Sequence, residues 1–108
     1  MNNFIEIHWT TGSIDEARKV ARYLVHERLV ANAKIIPWLE SISMWNNQLN
    51  TSQETKVIFQ TQQQKFESVK TIIEKNTNFA IPEILIFKIE SINSEYNNWL
   101  EESLAITN

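Results

Sequence analysis

Cysteine is missing from this chain of 108 residues, and the backbone breakers are nearly so, with one Gly and two Pro. Without Cys there is no disulfide framework, no thiolate nucleophile and no Cys-based metal site. A single glycine leaves no Gly-rich loop to cradle phosphate, which removes dinucleotide and P-loop sites. So few breakers imply regular elements joined by short turns. Basic charge is short as well: ten Lys and Arg face thirteen Asp and Glu, for a net charge of -3. Nucleic-acid binding needs a concentration of Lys and Arg, so no nucleic-acid partner is expected. No run of like charges marks a tail or a membrane-surface patch. Met1-Asn2-Asn3-Phe4 has no basic region and no sustained apolar stretch. Neither a signal peptide nor a membrane span is expected, and cytoplasm is the expected location.

What the chain does carry is apolar mass. Its length fits one domain, 1–108, and its hydrophobic fraction of 43% is ordinary for a folded protein. Four Trp and five Phe are a heavy load for a core this small. Some of these aromatics are therefore expected to bury against another subunit.

Phe4–Trp9 reads as a short strand, and Thr10-Thr11-Gly12 turns into a helix opened by Ser13-Ile14-Asp15-Glu16. That is a capping-box pattern, in which Ser13 and Glu16 satisfy orphan amides reciprocally. Ile14, Ala17, Val20, Ala21, Leu24 and Val25 make one apolar stripe at helical spacing. The helix ends within Glu27–Asn32 without a glycine, and Asn32 is the nearby residue expected to take the left-handed conformation. Ala33 to about Trp45 reads as an extended strand that bends at Pro37 or lies at an edge. Asn46-Asn47 reads as a tight hairpin turn, with the return strand running to Gln60. Thr61-Gln62-Gln63-Gln64 is a second capping-box pattern, ahead of a helix with Phe66, Val69, Ile72 and Ile73 on one face. Pro82–Ile89 is dense enough in apolar residues to predict a central or doubly covered strand. Asn93 or Ser94 is expected to cap a last helix that buries Tyr96, Trp99, Leu100 and Leu104.

The order β-α-β-β-α-β-α implies an α+β, ferredoxin-like split βαβ: a four-stranded antiparallel sheet with two helices on one face and a long hairpin from the second and third strands. The other face is left uncovered by those helices, which again points to oligomerisation.

Glu27-Arg28-Leu29 closing a helix, Ile35-Ile36-Pro37 on the second strand, Ser41–Trp45 before the hairpin turn, Ile81-Pro82-Glu83-Ile84 and Tyr96-Asn97-Asn98-Trp99-Leu100 follow one another along the chain. In that order and spacing they resemble the divalent-cation tolerance protein family, CutA. Thr10 and a helix over 14–29 fit its first βα unit, and Thr61 fits the start of its second helix. The resemblance implies a homotrimer on a ferredoxin-like subunit. The sequence also departs from the family. Trp9 and Asn32 stand where Cys is usual, and Thr77-Asn78-Phe79-Ala80 replaces His-Pro-Tyr-Glu. Gln48 and Gln60 replace two lysines.

The candidate inter-subunit cleft consists of Trp45, Phe79 and Glu83. The Glu83 carboxylate could bind a hard divalent cation; it could also begin a strand and pair with Lys or an orphan amide. His8 and His26 are the only imidazoles. One of them could ligate Cu(II) or Zn, though they are far apart in sequence and no second donor stands at ligand spacing. Glu83 and His8 are thus the metal candidates, beside the reading of satisfied or exposed histidines. Trp45 could stack on a ligand, while Trp38 and Trp45 also suit interface anchors. No nucleophile motif is present, so no enzyme is expected and no cofactor is required. The resemblance implies a non-enzymatic trimer serving divalent metal tolerance or response, with copper or another cation at subunit boundaries. The alternative is a trimeric small-ligand sensor or adaptor similar to the PII signalling proteins. RNA binding on the open sheet face is disfavoured by the acidic balance.

Overall fold

The computed structural model describes residues 2–105. The alternating pattern after Asn3 forms β1 (Phe4–Thr11), and the apolar stripe after Gly12 forms α1 (Ile14–His26). β2 (Asn32–Trp45) and β3 (Gln48–Gln62) form a long hairpin. A 3-10 turn, Gln63–Lys65, leads into α2 (Phe66–Asn76), followed by β4 (Glu83–Lys88) and α3 (Ser94–Leu104). The strands lie in the order β2-β3-β1-β4 with every neighbouring pair antiparallel. This is the expected ferredoxin-like topology.

One side of the sheet holds the core. Alternation sends Ile5, Ile7 and Trp9 of β1 toward the helices, where they meet Val57 and Phe59 of β3. Ala17, Val20, Ala21 and Leu24 of α1 and Val69 and Ile73 of α2 close over them. The Trp9 and Phe59 rings stack with centroids 6.4 Å apart. These side chains are buried, and each Val, Leu, Ile or Phe among them is worth about 1.5–3 kcal/mol before ordering costs.

The joints depart from the sequence expectations in instructive ways. Ser13 does cap α1, its hydroxyl accepting from the Glu16 amide at 3.1 Å. The Glu16 carboxylate, however, accepts from the Thr11 hydroxyl at 2.6 Å, and the Ser13 amide donates to Thr11 Oγ1. The box is half closed because β1 runs on through Thr11 and brings that hydroxyl closer. At the other end of α1 the left-handed residue is Arg28, φ 57°, not Asn32. Arg28 N donates to Val25 O and Leu29 N to Leu24 O, a Schellman closure. Position dictates this choice: the helix stops at His26, and the residue that must turn is the one two places on. The Arg28 side chain is held there by donating to Ser103 O at 3.0 Å. Thr61 caps nothing. It stays in β3, fully buried, and its hydroxyl donates to Leu29 O at 2.7 Å. Asn93 occupies the N-cap position of α3 without a side-chain capping bond. Asn46 and Asn47 both take positive φ, 52° and 63°, as the hairpin turn requires.

β4 is an edge strand, contrary to the central position its composition suggested. Only β1 pairs with it, and Leu85, Ile86 and Phe87 remain exposed. An apolar run reports that a strand will be covered and is silent on whether its own chain does the covering. β2 is the other edge. Pro37 sits in a register break between Ile36 and Leu39, with Trp38 at φ 66°. The sheet face away from α1 and α2 is partly covered after all: α3 crosses it, packing Leu100 and Leu104 on Phe4 and Ala31.

Candidate functional site

Strand β1 decides which candidates meet. Its pairing sets Thr10 opposite Glu83, His8 opposite Leu85 and Glu6 opposite Phe87. Since side chains alternate, Glu6, His8, Thr10, Glu83, Leu85 and Phe87 share the sheet face turned away from the core. Glu83 opens β4 and accepts one long hydrogen bond, 3.4 Å from the Thr10 hydroxyl. It pairs with no lysine and no backbone amide among the described residues. His8 is a diagonal neighbour of Glu83 across the β1–β4 pair, a relation that puts Cα atoms about 7–8 Å apart.

His8 is already partnered. Its Nε2 lies 2.9 Å from Glu6 Oε1, and its ring packs against Phe87 at 4.4 Å between centroids. Glu6 also accepts from Gln60 Nε2 at 2.9 Å. Burial pulls the Glu6 pKa upward, but the bonds from His8 and Gln60 and the nearby charges of His8 and Lys34 outweigh that, leaving it below the ordinary value. The carboxylate is therefore ionised near neutral pH and can only accept, so Nε2 of His8 carries the proton. Gln60 continues the chain of contacts, its Oε1 accepting from Tyr96 Oη at 2.6 Å and from Asn32 Nδ2 at 2.9 Å. The Glu6–His8 pairing is legible in the sequence as Glu-x-His on one face of a strand. Ligand spacing between donors does not reveal it, because the pair forms through strand alternation, two residues apart on one face. His26 is exposed on α1 and bonds to Glu27 beside it.

Phe79 joins the same end of the molecule. Its ring lies against Gly12, where an added Cβ would sit 3.1 Å from Phe79 Cε1. The one glycine of the chain is thus a contact surface for an aromatic, a role its isolation in the sequence did not reveal. Gly12 also lines a small cavity of about 100 Å³ with Ile14, Pro37 and Trp38. Trp45 does not join them. It pairs with Gln48 at the hairpin tip and is 70% exposed. β1 stops pairing at Thr55, so the stretch from Glu54 to Gln48 projects beyond the body, about 23 Å at roughly 3.3 Å per residue. Within one chain, Trp45 thus stands apart from Phe79 at Gly12 and from Glu83 at Thr10. Among the described residues no three His, Asp or Glu side chains gather as a ligand set.

Comparison with known proteins matches residues 5–103 to the model of the CutA1 divalent ion tolerance protein family. The divalent-cation tolerance protein CutA of Thermus thermophilus is 34% identical over 94 residues, covering 87% of this chain and 91% of that protein. The chloroplastic protein CutA of Arabidopsis thaliana is 26% identical over 92% of this chain, which spans about half of that longer protein, 54%. In solved structures, the divalent ion tolerance protein CutA1 of Ehrlichia chaffeensis superposes with a TM-score of 0.90 at 20% identity. That match covers 98% of this chain and 99% of the other and shows the shared fold.

Proposed function

The chain belongs to the CutA1 divalent ion tolerance protein family, and from that premise we propose that it is a non-enzymatic homotrimer taking a divalent cation at its subunit boundaries. Glu83 is the first protein donor in this reading. The observation that carries it is the state of that carboxylate: exposed on an edge strand, with one 3.4 Å hydroxyl contact and no cation beside it among the described residues. A lone carboxylate is an incomplete site, and further donors must come from another copy or from water. Two free sheet edges and a protruding hairpin with exposed Ile42, Met44 and Leu49 supply the means of assembly. The aromatic Trp45 then reaches Phe79 and Glu83 only from a neighbouring subunit. A cytoplasmic location is part of the proposal; among the described residues no helix is long and apolar enough to cross a membrane. The sensor reading gains nothing from the comparisons, since the matched family and relatives carry names of cation tolerance or of CutA itself.

Two measurements test this. Sedimentation gives the assembly, expected to be a trimer. Calorimetric titration of metal-free protein with Cu(II) in a non-chelating buffer gives the cation site, expected to saturate and to weaken at least about tenfold in Glu83→Ala. A monomer, or heat without saturation, overturns the reading.

A further inference from the structure

We infer that His8 is the second protein donor of the cation site: its Nδ1 ligates the ion beside Glu83, and Glu6 is the positioning residue that holds the imidazole for that task. The inference rests on the cation reading above and adds to it a nitrogen donor and the class of ion that such a donor selects. The two nitrogens of the His8 ring are in different situations. Nε2 donates to the Glu6 carboxylate at 2.9 Å, so in the neutral ring Nδ1 carries a lone pair and no hydrogen. Among the described residues Nδ1 is buried and has no hydrogen-bond partner. Buried polar atoms are rarely left so, because withdrawal from water without a partner is costly. An imidazole that gives one N–H to a carboxylate and keeps the other nitrogen for an ion is the arrangement of metal-bound histidines, in which the carboxylate fixes the tautomer and the ring orientation.

Strand geometry supplies the oxygen donor. Along the outward face of β1, Glu6 precedes His8 by two residues, and Thr10, the partner of Glu83, follows it by two. The two nitrogens of an imidazole point away from each other. With Nε2 spent on Glu6, Nδ1 is turned off that side, and Glu83 is the next carboxylate along the face. Their diagonal relation sets the Cα atoms about 7–8 Å apart, a span that Glu and His side chains close when they meet at one ion. Leu85 and Phe87 flank the ring on β4 and are 44% and 46% exposed. Exposed side chains change rotamer within nanoseconds, which admits an ion to Nδ1 without disturbing the core. The nitrogen donor also decides which ions are taken. Carboxylate and hydroxyl oxygens alone suit Ca(II) or Mg(II), whereas an imidazole beside them favours Cu(II), Ni(II) or Zn(II).

The test is pulsed electron paramagnetic resonance of the full chain carrying His26→Gln, loaded with less than one equivalent of Cu(II). His26 is exposed on α1, and its replacement leaves His8 as the only imidazole. Echo modulation from the remote nitrogen of a metal-bound imidazole, here Nε2, is expected. Adding His8→Gln is expected to abolish the modulation and to weaken Cu(II) at least about tenfold by calorimetry, with circular dichroism unchanged. Glu6→Gln is expected to keep the modulation and to weaken Cu(II) about tenfold, as loss of a carboxylate that orients a ligand does. Saturable Cu(II) binding that depends on Glu83 but shows no imidazole modulation overturns this inference and leaves the cation reading standing. Binding that never saturates overturns both. Equal affinity in His8→Gln overturns the inference as well, and equal affinity in Glu6→Gln overturns the role given to Glu6.

Discussion

Glu6 shows how one side chain ties a sheet together. Its carboxylate takes hydrogen bonds from His8 and Gln60, and Gln60 in turn receives Tyr96 of α3 and Asn32 of β2. These bonds favour the charged form, and despite the opposing pull of burial the Glu6 pKa lies below its ordinary value of 4.5. The folded protein thus releases the Glu6 proton more readily than the unfolded chain. The resulting stability is fully present above about pH 4.5 and is lost as pH falls through the lowered folded value. Thermal unfolding measured from pH 7 downward should show Tm dropping below about pH 4.5, and dropping less steeply in Glu6→Gln. Parallel curves for the two proteins would mean the network contributes nothing. At this scale the sequence was a partial guide. It announced residue types reliably, as at Asn46 and Asn47, but Arg28 took the left-handed position from Asn32 because helix length fixes which residue turns.

At the scale of elements, α3 is held by a small apolar cluster and by several polar contacts. Leu100 and Leu104 anchor it on Phe4 and Ala31, while its C-terminal end is gripped from outside. Lys65 donates to Leu104 O at 3.2 Å and to Arg28 O at 2.9 Å, and Arg28 donates to Ser103 O. Cations on the last carbonyls of a helix satisfy groups with no intrahelical partner and complement its dipole. Lys65→Ala should cost about 1–2 kcal/mol. Amide hydrogen exchange should rise in α3 while β1 and β3 stay protected. Unchanged protection of α3 would refute this role for the clasp. The sequence showed that a helix with a Tyr-Trp-Leu face lay here. Its docking on the sheet face opposite α1 and α2 depends on Asn32, Gln60 and Lys65, which no local pattern links to it.

For the whole molecule the extents are 50 × 28 × 22 Å, long for a chain of this size because the hairpin arm stands clear of the body. Ile42, Met44 and Leu49 are exposed on that arm, Leu49 at 73%. Burying one such side chain between subunits is worth about 1.5–3 kcal/mol, and each 1.4 kcal/mol is roughly tenfold in association. Leu49→Lys should therefore leave the circular dichroism of the subunit unchanged and weaken the proposed trimer at least tenfold, about 1.4 kcal/mol or more. Sedimentation across a concentration series measures this. An unshifted assembly would place the arm outside the interface. The sequence hinted at this scale through its surplus of aromatics, and only the exposure of Trp38, Trp45 and Trp99 tells which of them are surplus. Trp9, by contrast, is spent in the core.

Periodicity by itself determined the kinds of element, their order and, with the family resemblance, the fold, because burial of one face is written into the spacing of every helix and strand. Pairing between strands decided the rest. It brought Glu83 to Thr10 and His8 to Glu6, carried Trp45 to the tip of an arm that projects about 23 Å beyond the body, at roughly 3.3 Å per residue, and left β4 at an edge. Those outcomes depend on register between segments distant in sequence. Register is fixed by the packing of all the strands and helices at once, so no single segment contains it.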